Sequence, residues 1–146
     1  MRNWNVVRSF PGLRKKNYVK LLGNFFKMNY DPENIFAKIL RGEIPCEKVF
    51  ENNTSLAFKD INPQAPLHIL VIPKGPYKSM DEFSKNATDK EIVGFIRAVG
   101  KVARDQGSVQ DGYRILSNAG RDAHQEVPHF HVHIFSGRDL GRMIEK

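Results

Sequence analysis

Residues 129–135 read His-Phe-His-Val-His-Ile-Phe, which sets three imidazoles at i, i+2 and i+4 of an apolar run. Successive side chains of an extended chain point to opposite faces. His129, His131 and His133 therefore line one face, while Phe130, Val132 and Ile134 press the other into a core. The strand rise puts neighbouring histidines roughly 6.5–7 Å apart, so all three can line one ligand-sized groove. The chain has five histidines, and His124 joins these three within one short stretch. A neutral imidazole is nucleophilic near neutral pH and forms covalent intermediates that split one hard step into two. It needs a partner on its second ring nitrogen to fix the tautomer. The rival chemistry is metal binding, because His-x-His on a strand presents two zinc ligands. Three same-face histidines span about 13 Å, too far for all to reach one ion at about 2.0–2.1 Å. The metal alternative is thus a two-histidine site completed by His68, and the expectation is no metal and no cofactor.

The bulk properties bound what surrounds this cluster. A chain of 146 residues, 40% of them apolar, suits one domain with a single sizeable core. No apolar run is long enough to cross a bilayer, so no membrane partner is expected. The single cysteine, Cys46, excludes an intramolecular disulfide framework and suits a reducing, cytoplasmic compartment. The net charge of +7 comes from residues 1–27, where Arg2, Arg8, Arg14, Lys15, Lys16, Lys20 and Lys27 meet no acidic residue. Residues 28–146 are neutral in sum, which argues against nucleic acid as a partner. The basic extension reads as outside the domain proper, with Met28 as an alternative start. It is otherwise an organellar transit peptide, though Pro11-Gly12 would interrupt its helix, or a loose contact for an anionic surface.

The elements that must position the histidines are legible from periodicity. Asp31, Pro32 and Glu33 suit the start of a helix carrying Ile35, Phe36, Ile39 and Leu40 at helical spacing, with Gly42 as its stop. Short β-type runs follow at Lys48–Glu51 and Ser55–Lys59, joined by Asn52-Asn53. Residues 60–66 hold Pro63 and Pro66 and read as an ordered loop. Leu67–Ile72 is nearly continuous aliphatic and should be a central strand, with His68 embedded in it. Thr88 and Glu91 form a capping box for a second helix, whose stripe is Ile92, Phe95, Ile96, Val99, Val102 and Ala103, closed by Gly107. Tyr113–Ser117 reads as a strand, Asn118–Glu126 as a polar loop and Pro128–Phe135 as the histidine strand. The sum is an α+β domain with two helices on a mostly antiparallel sheet of about five strands.

His129-x-His131-x-His133-Ile134-Phe135 resembles the His-φ-His-φ-His-φ-φ pattern (φ apolar) of the histidine triad (HIT) nucleotide hydrolases and transferases. Three further stretches resemble the Hint-like branch in order and spacing: residues 35–45, residues 58–66 and residues 68–74. The resemblance spans residues 31–140 and marks 28–146 as a HIT domain. It implies a HIT-like fold whose sheet extends across a homodimer, with one nucleoside monophosphate site per protomer. It implies attack by the middle histidine, His131, on an α-phosphorus to give a nucleotidyl-histidine that water hydrolyses. His129 and His133 would orient it and bind phosphate, and His68 is the matching fourth histidine. Asn118 matches a phosphate- and leaving-group-side asparagine, with Gln125 and Glu126 on the same side. Ile35, Phe36, Ile39, Phe58 and Ile61 would hold the base, and Asp60 the ribose hydroxyls. Many members carry Gly-Gln-Ser-Val before the triad, whereas this chain has His124-Gln125-Glu126-Val127. Glu126 replaces the serine that would assist the leaving group, and a carboxylate there can act as acid, water activator or amine-binding charge. Ser136-Gly137 stands where a glycine pair is usual. The expected activity is hydrolysis of purine nucleoside phosphoramidates. The alternatives are a dinucleoside polyphosphate hydrolase and a nucleotide-binding scaffold with weak turnover.

Overall fold

Alternation along five strands sorts the side chains of one antiparallel sheet into two populations, and that sorting makes the site. The strands are β1 (Lys48–Glu51), β2 (Ser55–Lys59), β3 (Leu67–Pro73), β4 (Arg114–Leu116) and β5 (Val132–Ser136), in spatial order β1-β2-β3-β5-β4. The computed structural model describes residues 30–143; the basic extension 1–27 lies outside them. On one face, Ala57, Ile69, Val71, Val132 and Ile134 join Phe130 in a core. On the other, Leu56, Phe58, Leu70 and Ile72 pack with Phe36. Pairing Leu70 with His133, and His68 with Phe135, puts the two histidines on this second face.

The first core is closed by α3 (Asp89–Asp105), and here the expected capping box is present: the Thr88 side chain accepts from Glu91 N–H while Glu91 reaches back to Thr88. Phe95, Ala98, Val99, Val102 and Ala103 are buried, but Ile96 is 60% exposed and lies outside the core stripe assigned to it. A helix absent from the sequence expectation, α2 (Met80–Asn86), brings Phe83 into the same core, so the described residues hold three helices rather than two. Its signals are Asp81 and Glu82 in the first turn and Lys85 in the last. Phe83, Phe95 and Phe130 pack mutually in edge-on and tilted pairs with ring centres 4.9–5.2 Å apart.

The second face is covered by α1 (Ile35–Leu40), which starts later than expected. Asn34, not Asp31, is its N-cap, accepting from Ala37 N–H, while Asp31 builds the preceding turn by accepting from Glu33 N–H and the Asn34 amide. Pro32 and Glu33 belong to that turn. Gly42, at φ 76°, ends the helix as expected: its N–H bonds to Ile39 O and that of Glu43 to Lys38 O.

The histidine strand also begins later than the pattern predicts, at Val132 rather than Pro128. The partner strand ends in Pro73, which has no N–H to continue a ladder. The chain upstream finds other bonds: Phe130 N–H donates to Tyr77 O, and the Ser117 hydroxyl donates to His131 O. The facing order survives without the ladder, since Phe130 still enters the first core.

Truncating Phe95, fully buried in the core on the other face of the sheet from His68 and His133, should remove about 3–5 kcal/mol of unfolding free energy in a urea titration of Phe95→Ala. A loss below about 1 kcal/mol would show that the triple aromatic contact does not centre the core.

Candidate active site

The second face of the sheet opens into a cavity of about 400 Å3 lined by His68, His131 and His133, by Phe36 and by Asp60 and Glu126, among others. His68 and His131 are buried and His133 is half-buried. Phe36 stands edge-on to His131, with centroids 5.0 Å apart, and Phe58 backs Phe36 at 5.7 Å.

The hydrogen bonds fix where each proton sits. His131 donates Nδ1–H to the carbonyl of His129 at 2.7 Å, which leaves the Nε2 lone pair free for the cavity. His68 accepts at Nδ1 from the backbone N–H of Gln64 at 3.2 Å, so its proton lies on Nε2. That N–H faces Nδ1 of His133 at 2.9 Å and the Asp60 carboxylate at 3.4 Å. His133 must then accept at Nδ1 and carry its own proton on Nε2. The pair of rings therefore offers a nucleophilic lone pair on His131 and a donor on His133, with ring centres 5.0 Å apart. A developing phosphorane needs both.

Burial keeps these rings neutral. Desolvation pushes His133 down to about 4, helped by His131 and His68 beside it and opposed by Asp60. His131 and His68 are also lowered, chiefly by burial, with Asp60 working the other way on both and Glu126 on His131. His129 is pushed down to about 4, mainly by burial. A neutral imidazole is the form with a free lone pair, so the nucleophile is ready at neutral pH.

The remaining residues singled out from the sequence divide into two groups. Asn118, Glu126, Asp60 and Phe36 line the cavity with His68, His131 and His133. His129 does not; its Nε2 bonds to Pro73 O at 2.9 Å, and it serves His131 through its carbonyl. Gln125 is a staple: its amide donates to Lys78 O and Val127 O, and its oxygen accepts from Gly120 N–H. Phe58 is buried behind Phe36, and Ile39 packs against that same core. Ile35 and Ile61 are exposed, the latter at 86%. Asn62, Gln64, Leu70, Val127 and His124 line the cavity without having been singled out for it. The decisive additions, the Gln64 N–H and the Pro73 carbonyl, are backbone groups that carry no residue-type signal.

Asp60, His68 and His133 bring ligand atoms within 4.8 Å of one another, a grouping able to hold a metal among the described residues. The His68–His133 hydrogen bond uses the nitrogens such an ion would need, so an ion would have to displace that proton.

A model of the HIT domain matches residues 41–140. An uncharacterised 13.2 kDa HIT-like protein of Azospirillum brasilense is 67% identical over 117 residues, covering 80% of this chain and 96% of that one. The purine nucleoside phosphoramidase of Escherichia coli K12 is 42% identical over 113 residues, covering 77% of this chain and 93% of the enzyme. Among solved structures, a HIT family hydrolase from Clostridium thermocellum superposes with a TM-score of 0.71 at 36% identity, covering 77% of this chain and 97% of that one.

The depressed histidines set the acid stability of the fold. Between their folded values and an unfolded value near 6.5 the unfolded chain binds protons that the folded chain refuses, so stability is complete above that value and falls as pH drops towards about 4. His129 alone should account for about 3 kcal/mol. Urea titrations at about pH 7.5 and pH 5 should show the loss; equal stabilities would mean that the rings are not held neutral. Glu51, held down to about 2 by hydrogen bonds from Lys48 and Lys74, keeps its contribution through most of this window and loses it only as the pH falls further towards about 2.

Proposed function

The chain belongs to the HIT family, and from that premise we propose that it hydrolyses purine nucleoside phosphoramidates through a nucleotidyl-histidine intermediate. The observation that carries the reading is the free Nε2 lone pair of His131 beside the Nε2–H of His133 on one cavity wall. The kinship to the Escherichia coli phosphoramidase supports the substrate class. His131 Nε2 attacks the α-phosphorus, the P–N bond breaks, and the amine departs with a proton taken from solvent, which the hydrolysis step returns. Water then breaks the P–Nε2 bond, releasing the nucleoside monophosphate and restoring the imidazole.

The chain's own groups suit each stage. As His131 becomes cationic on attack, the His129 carbonyl holds its Nδ1–H. His133 donates to a phosphate oxygen, and Asn118 can do the same from the loop before the triad. Phe36 offers an apolar wall for the base, with Ile35 and Ile61 as exposed groups a base can cover. Asp60, which anchors its loop by accepting from Asn62 N–H, keeps a second carboxylate oxygen for the ribose hydroxyls.

A second copy of this chain is the proposed partner. Strand β4 is one of the two edges of the sheet, paired only with β5 among the described residues. Beside it lies an apolar groove of about 340 Å3, lined in part by Met80, Ile92, Ile96, Ile115 and Leu116. An exposed sheet edge flanked by large apolar side chains is a surface that monomers avoid. Two copies related by a two-fold would pair β4 with β4 and cover both grooves.

With an adenosine 5′-phosphoramidate in a single turnover, mass spectrometry should detect transient adenylated protein and release of AMP. His131→Ala should show neither, with kcat/KM down by at least about 10³-fold. AMP binding without turnover by well-folded wild-type protein would sink the hydrolase reading. Ile96→Asp should shift the protein from dimer to monomer in light scattering; a wild-type monomer, or a variant that stays dimeric, would remove this face as the interface.

A further inference from the structure

We propose that Glu126 makes this site selective for the charge of the leaving group, favouring amines that carry a second, positive charge and disfavouring anionic ones. The inference rests on the phosphoramidate reading and narrows its substrate class.

The cavity has an unusual charge inventory for one that would take a nucleotide. No lysine or arginine lines it; its carboxylates are Asp60 and Glu126, and the rest of its ionisable groups are histidines. The two carboxylates come from different loops and are differently engaged. Asp60 is partly engaged: one oxygen accepts from Asn62 N–H, and the other, 3.4 Å from His68 Nε2, is the one assigned to the ribose. Glu126 is exposed and makes no hydrogen bond or ion pair among the described residues. Arg121, the cation of the same loop, is turned out to solvent against Asp122. The charge of Glu126 is thus available to whatever enters from its side.

The loop holds that charge in place. A turn closed by His124 N–H to Arg121 O and Gln125 N–H to Gly120 O leads into it. His124 occupies the left-handed region at φ 54°, which a non-glycine residue adopts only when its surroundings impose it. The Gln125 amide then ties the loop to Lys78 O and to Val127 O, so the residues before and after Glu126 are joined by one hydrogen bond. The carboxylate's field reaches the nucleophile, where it favours the charged form of His131.

In-line displacement puts the leaving group opposite the attacking nitrogen. With the ribose held at Asp60, the departing amine lies towards the loop of Asn118 and Glu126. A neutral serine at this position would be indifferent to the charge of that group. A carboxylate attracts an ammonium by Coulomb's law, and it repels a carboxylate or a polyphosphate. For a partly exposed pair the difference should be roughly five- to twentyfold in kcat/KM. The same repulsion disfavours a dinucleoside polyphosphate, whose leaving group is itself a nucleotide.

The test uses three adenosine 5′-phosphoramidates of similar size: of ethylenediamine (cationic), propylamine (neutral) and glycine (anionic). Each is assayed with wild-type protein, Glu126→Gln and Glu126→Asp, at low and high salt. Dividing each wild-type kcat/KM by the Gln value cancels the intrinsic leaving ability of the amine. That quotient should fall in the order cationic, neutral, anionic, spanning at least about fivefold and shrinking at high salt. Glu126→Asp should keep the order. Equal quotients for the three, with all three hydrolysed, would overturn the role of Glu126 and leave the phosphoramidate reading standing. No hydrolysis of any of them by wild-type protein would overturn both.

Discussion

Water is nearly excluded from His68, His129 and His131 and partly from His133, and that exclusion governs the rest of the site. A buried imidazole that must stay neutral has one proton for two nitrogens, so its chemistry depends on which nitrogen holds it. The protein decides this with partners that have no choice. A peptide carbonyl accepts and never donates, so the carbonyl of His129 puts the proton of His131 on Nδ1. A peptide N–H donates and never accepts, so that of Gln64 puts the proton of His68 on Nε2. From these two backbone groups the roles of His131 and His133 follow in sequence. The supporting histidine, His129, contributes through main chain and packing more than through its ring.

Such backbone groups are available because the sheet is interrupted where the site needs them. Pro73 ends β3 and has a carbonyl but no N–H, so the chain opposite leaves the ladder and the carbonyl goes to His129. The loop at residues 60–66 is held from the other side: Gly137, at φ 95°, lies so close to Pro66 that a Cβ there would come within 2.9 Å of the ring. Arg138 reaches back to the Gln64 carbonyl. The loop that sets the tautomer of His68 is therefore clamped by the residues that follow the triad, tying both ends of one reaction site to one short segment.

Around this fixed centre the cavity has two flanks of different character. The Asp60 flank is hydrogen-bonded inward and belongs to the protein's own network. The Glu126 flank presents an uncommitted charge on a stapled loop. A rigid chemical centre with one variable charged rim separates how the bond is broken from which substrate is chosen. One side chain on the rim can then alter selectivity without disturbing the proton positions behind it.

The division between what sequence and tertiary structure decide follows the range of the forces involved. Alternation of His129 to His133 with Phe130, Val132 and Ile134 already assigned two faces, since a period of two survives even where the ladder does not. The capping box at Thr88, the central strand at Leu67 and the positions of β1 and β2 were equally legible, because each rests on neighbours a few residues apart. Boundaries were less so. The first helix starts at Ile35 because Asn34 outcompetes Asp31 as cap, and α2 was missed because its apolar signal is mainly Phe83 in one short turn-rich stretch. Ile96 sits at core spacing on α3 yet is exposed, lining the groove beside Ile115 and Leu116 rather than the core. Five histidines in a chain announce their chemistry by type and spacing. Which nitrogen of His131, His68 and His133 is the base, and which the acid, was decided only when the fold turned the His129 carbonyl and the Gln64 N–H to within 2.7 and 3.2 Å of the rings beside them and set His68 against His133, because every residue carries such groups and only their placement distinguishes one from another.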